Sequence, residues 1–284
     1  MNRDEQRARV AALAPCRVDL GGRVVLHPSE PTGGTWIAAN DLGVACALVN
    51  GYAIPAKAVD RRISRGEVVL ATRHCADASA ISEQLAALEL SRIPPFRLIG
   101  VVPKTGTVQE WRWNQRELTS WTFGWEPCGW WSSGHDEPGA QRVRGAIFEK
   151  SREQADAGTT CGLRRLHGSH LPEEGPYSIC MHRKDAATVS YTEVEVGRTF
   201  CRMRYEPGPP CQLGTGICEW GEVSVADPFG GADFGGKSVR KRVPLHAVEI
   251  RLAPEGAVCH EEGVRTSARD FRSVVRAWRN WQTR

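Results

Sequence analysis

Thiols and imidazoles gather in the second half of the chain, where they could bind a metal ion. One group is Cys161, His167 and His170, and a second is Cys180 with His182. Neither group has the Cys-x-x-Cys arm that is typical of structural zinc sites. His167 and His170 also fall in a predicted loop. We therefore predict no metal site, with these residues in turns or in the core.

A second candidate for chemistry is the stretch "WWSSGHD", which contains Ser132, Ser133 and His135. A serine nucleophile needs a base within hydrogen-bond reach, and adjacency along the chain does not provide that geometry. A turn rich in small polar residues is the preferred interpretation. The common phosphate-binding, dinucleotide-binding, zinc-protease and serine-hydrolase motifs do not occur.

Six of the ten tryptophans lie within about twenty residues of one another. Their faces could line an apolar pocket or stack on a planar ligand, and packing in the core is the alternative. Both interpretations remain open from the sequence. The residues are Trp111, Trp113, Trp121, Trp125, Trp130 and Trp131.

The composition is that of a globular protein: of 284 residues, 41% are hydrophobic and 25% are charged. The net charge of +4 is too small to indicate binding to DNA. No apolar run approaches the length that crosses a bilayer, and no secretory signal is visible. We predict a cytoplasmic protein without a transmembrane segment, whose ten cysteines are buried free thiols.

The elements that would hold these residues follow from periodicity and turn signals. Residues 34–50 predict a β-hairpin, residues 78–90 an amphipathic helix, and residues 139–154 a second helix. Strands are expected on both sides of Gly106, and two more within residues 177–196. This order favours an α+β fold with antiparallel sheets covered by helices.

Glycine and proline in "YEPGPPCQLGTG" predict a domain boundary at residue 211. Residues 212–284 are expected to form an irregular extension, either disordered or an artefact of the gene model. Within it, residues 265–284 could form a basic amphipathic helix that weakly binds an anionic surface or RNA as an adaptor. A solvated terminal helix or disorder is the preferred interpretation.

Four motifs in this order carry a family resemblance: "NRDE", "GGTWIAAN", "SSGHDEPGAQRVRGAIFEK" and "CMHRKDAATVS". They resemble the NRDE family, the relatives of transport and Golgi organization protein two, over residues 2–211. The resemblance implies an αββα sandwich of the N-terminal nucleophile hydrolase type. Family members usually begin Met-Cys, so the first strand is expected to be missing here, through a start codon placed too far downstream or a truncated gene.

By the same resemblance, four residues would support a cysteine nucleophile that this chain lacks. Arg3 and Asp4 would hold the terminus and tune the thiolate, and Asn50 would donate to an oxyanion. Arg144 matches a recurrent family arginine. The motifs are also expected to supply five ligand-binding residues, namely Asn2, Trp36, Asn40, Ser132 and Ser133.

The resemblance implies a small apolar or acyl-bearing ligand, since the eukaryotic relatives are linked to haem handling, lipid metabolism and Golgi organisation. No haem-attachment motif occurs, so no cofactor is predicted and haem rests on the family relation alone. The alternative is a cysteine hydrolase of linear amides if a Met-Cys start lies upstream. Whether the chain is an enzyme stays open, and as written it is expected to be inactive.

Overall fold

The computed structural model describes residues 1–212 and 219–225. Within these residues the chain forms eleven strands and four α-helices. The strands are β1 (Asn2–Gln6), β2 (Leu13–Asp19), β3 (Val24–Ser29), β4 (Ile37–Asn40), β5 (Ala45–Asn50), β6 (Phe96–Val102), β7 (Thr107–Trp113), β8 (Leu118–Phe123), β9 (Ala186–Val196), β10 (Phe200–Pro207) and β11 (Glu219–Ser224). The helices are α1 (Gly66–Thr72), α2 (Ala78–Ala87), α3 (Glu137–Ser151) and α4 (Thr160–His167).

The larger sheet is an antiparallel meander of seven strands in the order β2 to β8. Its centre is the predicted hairpin, in which β4 pairs with β5 across the turn at Gly43, whose φ is 74°. Strand β4 is buried along its whole length, because both faces of the sheet are covered. The predicted hairpin and the two strands beside Gly106 are confirmed.

The smaller sheet has four antiparallel strands in the order β1-β9-β10-β11. Strand β1 lies at one edge and pairs with β9, so that Asn2 is opposite Tyr191 and Glu5 is opposite Ala187. Successive side chains of β9 alternate between two environments, because side chains in a strand point to opposite faces. Val194 and Val196 face the larger sheet, whereas Tyr191 and Glu193 face away from it.

The two sheets pack face to face and a helical layer covers each outer face. Leu26 and Ile99 of the larger sheet meet Val196 and Met203 of the smaller sheet in an apolar core. Helices α1 and α2 bury Val68, Val69, Ile81 and Leu85 against the other face of the larger sheet. Helices α3 and α4 lie over the smaller sheet. The predicted αββα sandwich is confirmed.

Helix α4 illustrates how the second helical layer is held. Its Arg164 forms two hydrogen bonds to Glu193 of β9, at 3.0 and 2.8 Å. Its last residue, His167, packs against the ring of Tyr191 with the ring centroids 5.1 Å apart and the planes tilted by 48°. The outward residues of β9 therefore fix the position of α4 by charge and ring contact.

Three expectations from the sequence differ from the structure. Residues 177–185 form turns and one isolated bridge, at His182, because the chain there crosses between the helical layer and the sheet. The expected boundary at residue 211 falls inside the sandwich, since β11 pairs with β10. Cys161 is disulfide-bonded, and Cys16 and Cys211 are exposed, so the cysteines are not uniformly buried thiols. A disulfide depends on spatial proximity, which cysteine spacing does not reveal.

Among the described residues, no helix has the length and apolar character that a membrane span requires. The predicted basic helix at residues 265–284 lies outside the described residues.

Candidate functional site

A cavity of about 660 Å³ opens beside β1, between the two sheets and the segment that leads into α3. Its volume is in the range of pockets that hold small organic molecules. Eight of the nine site residues expected from the sequence line it, and together they come from distant parts of the chain. They are Asn2, Arg3, Asp4, Trp36, Asn50, Ser132, Ser133 and Arg144.

The charged centre of this cavity is the pair Asp4 and Arg144. Arg144 Nη2 lies 3.6 Å from Asp4 Oδ2, and the side chains are 5% and 26% exposed. Thr188 donates a hydrogen bond of 2.7 Å to Asp4 Oδ1 and accepts one of 2.8 Å from the Met181 amide. The strand β1, the helix α3 and the start of β9 are thus joined through one carboxylate.

Burial raises the pKa of the Asp4 carboxyl, and the Arg144 charge and the Thr188 hydroxyl only partly offset this effect. Burial also lowers the pKa of Arg144, against the opposing effect of Asp4. A carboxyl with a raised pKa in a cleft, beside a cation, can exchange a proton nearer neutrality than an exposed one. The pair can therefore either bind a polar group or handle a proton.

Arg144 is held by two further contacts. Its Nη1 donates to the Ser132 carbonyl at 3.2 Å, and its Nη2 donates to the Pro176 carbonyl at 3.4 Å. Its Nε is buried and has no hydrogen-bond partner. The guanidinium is therefore fixed in place, and its buried Nε–H remains unused.

Arg3 belongs to a different cluster from Asp4, because neighbouring residues of a strand point to opposite faces. Its guanidinium lies 2.7 Å from Glu30 and 3.4 Å from Glu5. It also stacks 4.5 Å above the ring of Trp36. Arg3 and Asp4 therefore have different contact partners, although both line the cavity.

Asn2 connects β1 to the end of α4. Its amide donates to the carbonyls of His167 and Ile179, both at 2.9 Å, and its Oδ1 lies 3.0 Å from His167 Nδ1. Burial lowers the pKa of His167 well below its usual value, so the ring is neutral. With Nδ1 engaged by Asn2 and its ring packed 5.1 Å from that of Tyr191, His167 connects β1 and β9 to the end of α4.

Asn50 and the serines lie at the rim of the cavity. The Asn50 amide donates to the Tyr52 hydroxyl at 2.8 Å. The Ser133 hydroxyl accepts hydrogen bonds from the amides of His135 and Asp136 at 3.2 and 3.4 Å. Ser132 contributes its carbonyl to Arg144. The serines therefore order the turn before α3, as the sequence indicated.

Asn40 is the one expected ligand-binding residue that does not line the cavity. Its Oδ1 accepts from the amides of Leu42 and Val44, at 3.0 and 3.2 Å, and its Nδ2 donates to the carbonyls of Arg73 and Cys75. The side chain is fully buried. It stabilises the β4–β5 turn and connects that turn to α1.

Some residues of the tryptophan-rich region pack in the core, and others line the cavity. Trp111 and Trp113 are buried in the core beneath α2. Trp130 and Trp131 line the cavity, where Trp131 packs edge-on against Phe148. Trp121 and Trp125 are exposed. Two of these six tryptophans therefore form part of the cavity wall.

The sequence did not single out Thr188 or Glu30. Thr188 lies within the quoted family motif, but only the pairing of β1 with β9 shows that its hydroxyl meets Asp4. Glu30 follows β3, and nothing in its neighbourhood along the chain indicates that it neutralises Arg3.

The fold and the site together define an αββα sandwich protein with a charged cleft at the edge of its smaller sheet. Residues 1–120 match the sequence model of the family described as Transport and Golgi organisation 2. This match covers the "NRDE" and "GGTWIAAN" motifs and confirms the resemblance over these residues. No curated protein has significant sequence similarity to the chain.

Two solved structures are similar to this chain at low identity. One is a mutant of the conjugated bile acid hydrolase from Clostridium perfringens. It is 9% identical, with a TM-score of 0.43, and the match covers 78% of this chain and 87% of that one. The other, penicillin V acylase from Agrobacterium tumefaciens, is 9% identical, with a TM-score of 0.41, and the match covers 76% of this chain and 80% of that one.

Proposed function

We propose that the cavity beside β1 binds a small molecule with an apolar body and a carbonyl or carboxylate end, such as an acyl-bearing metabolite. The observation that carries the proposal is the convergence of eight expected site residues on one cavity of about 660 Å³. A pocket with apolar walls and a few fixed polar groups is the usual form of a small-molecule site.

The apolar body would lie against the rings of Trp36, Trp131 and Phe148 and the aliphatic side chains of β5. The polar end would meet Arg144, whose guanidinium is held in place by Asp4 and two carbonyls. Because the arginine is already ordered, its side chain would lose little further conformational freedom when a ligand binds. A cytoplasmic location is part of this proposal.

Titration calorimetry with a fatty acid, an N-acyl amino acid and an acyl-CoA tests the proposal. Ala47 lines the cavity, so Ala47→Phe should fill part of it and weaken binding about tenfold or more, equivalent to roughly 1.4 kcal/mol. Ala86→Phe, on the exposed face of α2, is the matched control. Failure of all three ligands to bind, or equal binding by Ala47→Phe, would contradict the proposal.

Hydrolysis of a linear amide is the second candidate, favoured by the raised pKa of Asp4 beside Arg144. Cys128 is the thiol that lines the cavity within the described residues, and burial raises its pKa to about 11. It is therefore protonated at neutral pH and a poor nucleophile. Hydrolysis by the described residues would need Asp4 to activate water, so release of amino acid from N-acyl substrates should be lost in Asp4→Asn but kept in Asp185→Asn.

A further inference from the structure

Four side chains of the types that ligate metal ions converge on the side of the smaller sheet, outside the cavity described above. They are His170, Cys180, His182 and Cys211, and their ligand atoms all lie within 4.8 Å of one another. None of the four lines the cavity beside β1. The sequence had divided the thiols and imidazoles of this region into two groups and had not included Cys211.

Two sulfur–nitrogen distances within this cluster match those of a tetrahedral zinc site. Cys180 Sγ and Cys211 Sγ lie 3.5 and 3.6 Å from His182 Nε2. Zinc bonds of about 2.3 Å to sulfur and about 2.0–2.1 Å to nitrogen place tetrahedral sulfur and nitrogen ligands about 3.6 Å apart. The side chains would therefore need little movement to coordinate one ion.

The fold brings these ligands together from three segments. The amide of Cys180 donates to the Ser169 carbonyl at 3.0 Å, which holds the loop after α4 beside the segment that leads into β9. His182 forms a bridge to Ala187 at the start of β9. Cys211 lies in the short 3-10 helix Pro210–Gln212 that follows β10.

The 3-10 helix and the end of α4 are in close contact. A Cβ atom at Gly168 would lie 3.1 Å from the Pro210 carbonyl, so this position has room for glycine but little more. The backbone therefore fixes the separation of the two ligand-bearing segments independently of any ion.

His170 gives a second, independent observation. Its Nε2 is buried and has no hydrogen-bond partner, which is costly for an imidazole nitrogen unless something else binds it. Its Nδ1 lies 3.8 Å from the carboxylate of Glu174. A carboxylate beside the other ring nitrogen is the usual arrangement around a metal-bound histidine, because it fixes the orientation of the ring.

We propose that His170, Cys180, His182 and Cys211 bind one Zn²⁺ ion in a closed, structural site. Binding would release one proton from each thiol, and the two thiolates would then neutralise the charge of the ion. Four protein ligands leave no position for water, so the site would not activate a substrate. Its effect would be to join the loop after α4, the entry to β9 and the helix after β10.

The test is the metal content of the full chain, expressed with zinc and purified anaerobically. Elemental analysis should find about one zinc ion per chain, as a four-ligand site requires. Cobalt added to chelator-stripped protein should give the visible bands of tetrahedral Co²⁺ together with thiolate-to-cobalt charge transfer. The Cys211→Ser and His170→Ala variants should lose most of the zinc and these bands, whereas the matched controls Cys16→Ser and His135→Ala should retain both.

Three results would overturn the proposal. Zinc could be absent from the anaerobic protein, zinc could persist undiminished in the Cys211→Ser/His170→Ala double variant, or peptide mapping could find a disulfide between Cys180 and Cys211. Since Cys211 is exposed, Cys211→Ser should fold, and circular dichroism would verify this. The cobalt titration of the unaltered chain does not depend on any variant.

Discussion

Asp4 on the edge strand β1 and Arg144 in the middle of α3 form an ion pair of 3.6 Å that joins the smaller sheet to its helical layer. Arg144 is almost completely buried, and Asp4 retains the hydroxyl of Thr188 as a second partner. Removal of the cation would leave a largely buried carboxylate without its counter-charge.

The first prediction concerns this pair. Arg144→Met should lower the free energy of unfolding by roughly 2–4 kcal/mol, because breaking a buried pair leaves one charge uncompensated. Arg142→Met, on the exposed face of the same helix, should change it little. Urea denaturation measures both. If the Arg144→Met and Asp4→Asn effects add without coupling in a double-mutant cycle, the pair does not stabilise the fold.

Substitution of a second buried charge, Glu110 of β7, should lower the free energy of unfolding by a similar amount. Its carboxylate accepts two hydrogen bonds from Arg112, at 2.7 and 3.0 Å, and one of 3.1 Å from Trp130 Nε1. Glu110→Ala should cost about 2–4 kcal/mol, since it leaves the indole without an acceptor and creates a cavity. The exposed Glu117→Ala is the control. Equal urea midpoints for the two variants would contradict the expectation.

The third prediction is a pH dependence at the start of α3. Asp136 accepts hydrogen bonds from the Gly139 amide and the Tyr177 hydroxyl, both at 3.0 Å, and these lower its pKa below the usual 3.8. A lowered pKa gives stability that is complete above pH 3.8 and is lost as the pH falls through the lowered value. Asp136→Asn keeps an acceptor at this position but lacks the charge.

The stability advantage of the unaltered chain over Asp136→Asn should therefore be present at pH 7 and should shrink below pH 3.8. Thermal unfolding measured across this range tests it. An advantage that does not change with pH would show that the carboxylate charge has no part in capping α3.

The fourth prediction concerns the contact between α2 and the larger sheet. A Cβ atom at Gly100 would lie 2.7 Å from the ring of Trp111, which is buried and is held by a hydrogen bond to Ser82. Gly100→Ala should therefore cost about 1–3 kcal/mol through overpacking. Gly124→Ala, where the nearest atom would be 3.7 Å away, is the matched control in urea denaturation. Similar stability of both variants would mean that the ring can move aside.

Local sequence patterns were sufficient to predict much of the sandwich. The hairpin of β4 and β5, helix α2 and helix α3 follow from side-chain periodicity and turn residues, which depend only on neighbouring positions. The sequence predicts a strand over residues 177–183, before a tight turn at Lys184 and Asp185. In the structure their backbone forms turns, since this segment connects the helical layer to β9.

The site depends on contacts between distant segments, and periodicity along the sequence does not reveal such contacts. Asp4 and Arg144 were named only through the resemblance to a family, and their proximity follows from the position of α3 over β1. The cluster at Cys211 was missed for the same reason. Its four ligands have no regular spacing, and the pairing of β9 with β10 is what brings them together.

The pairing of β1 with β9 sets a constraint on how the protein is made. Asn2 lies opposite Tyr191, so the first strand has no partner in its sheet until nearly two hundred residues have left the ribosome. At about 5–20 residues per second, this interval is roughly 10–40 s. The meander of β2 to β8 can assemble during that time from adjacent hairpins. The charged residues of β1, Arg3, Asp4 and Glu5, would keep the waiting strand soluble and discourage its pairing with other chains on the same polysome.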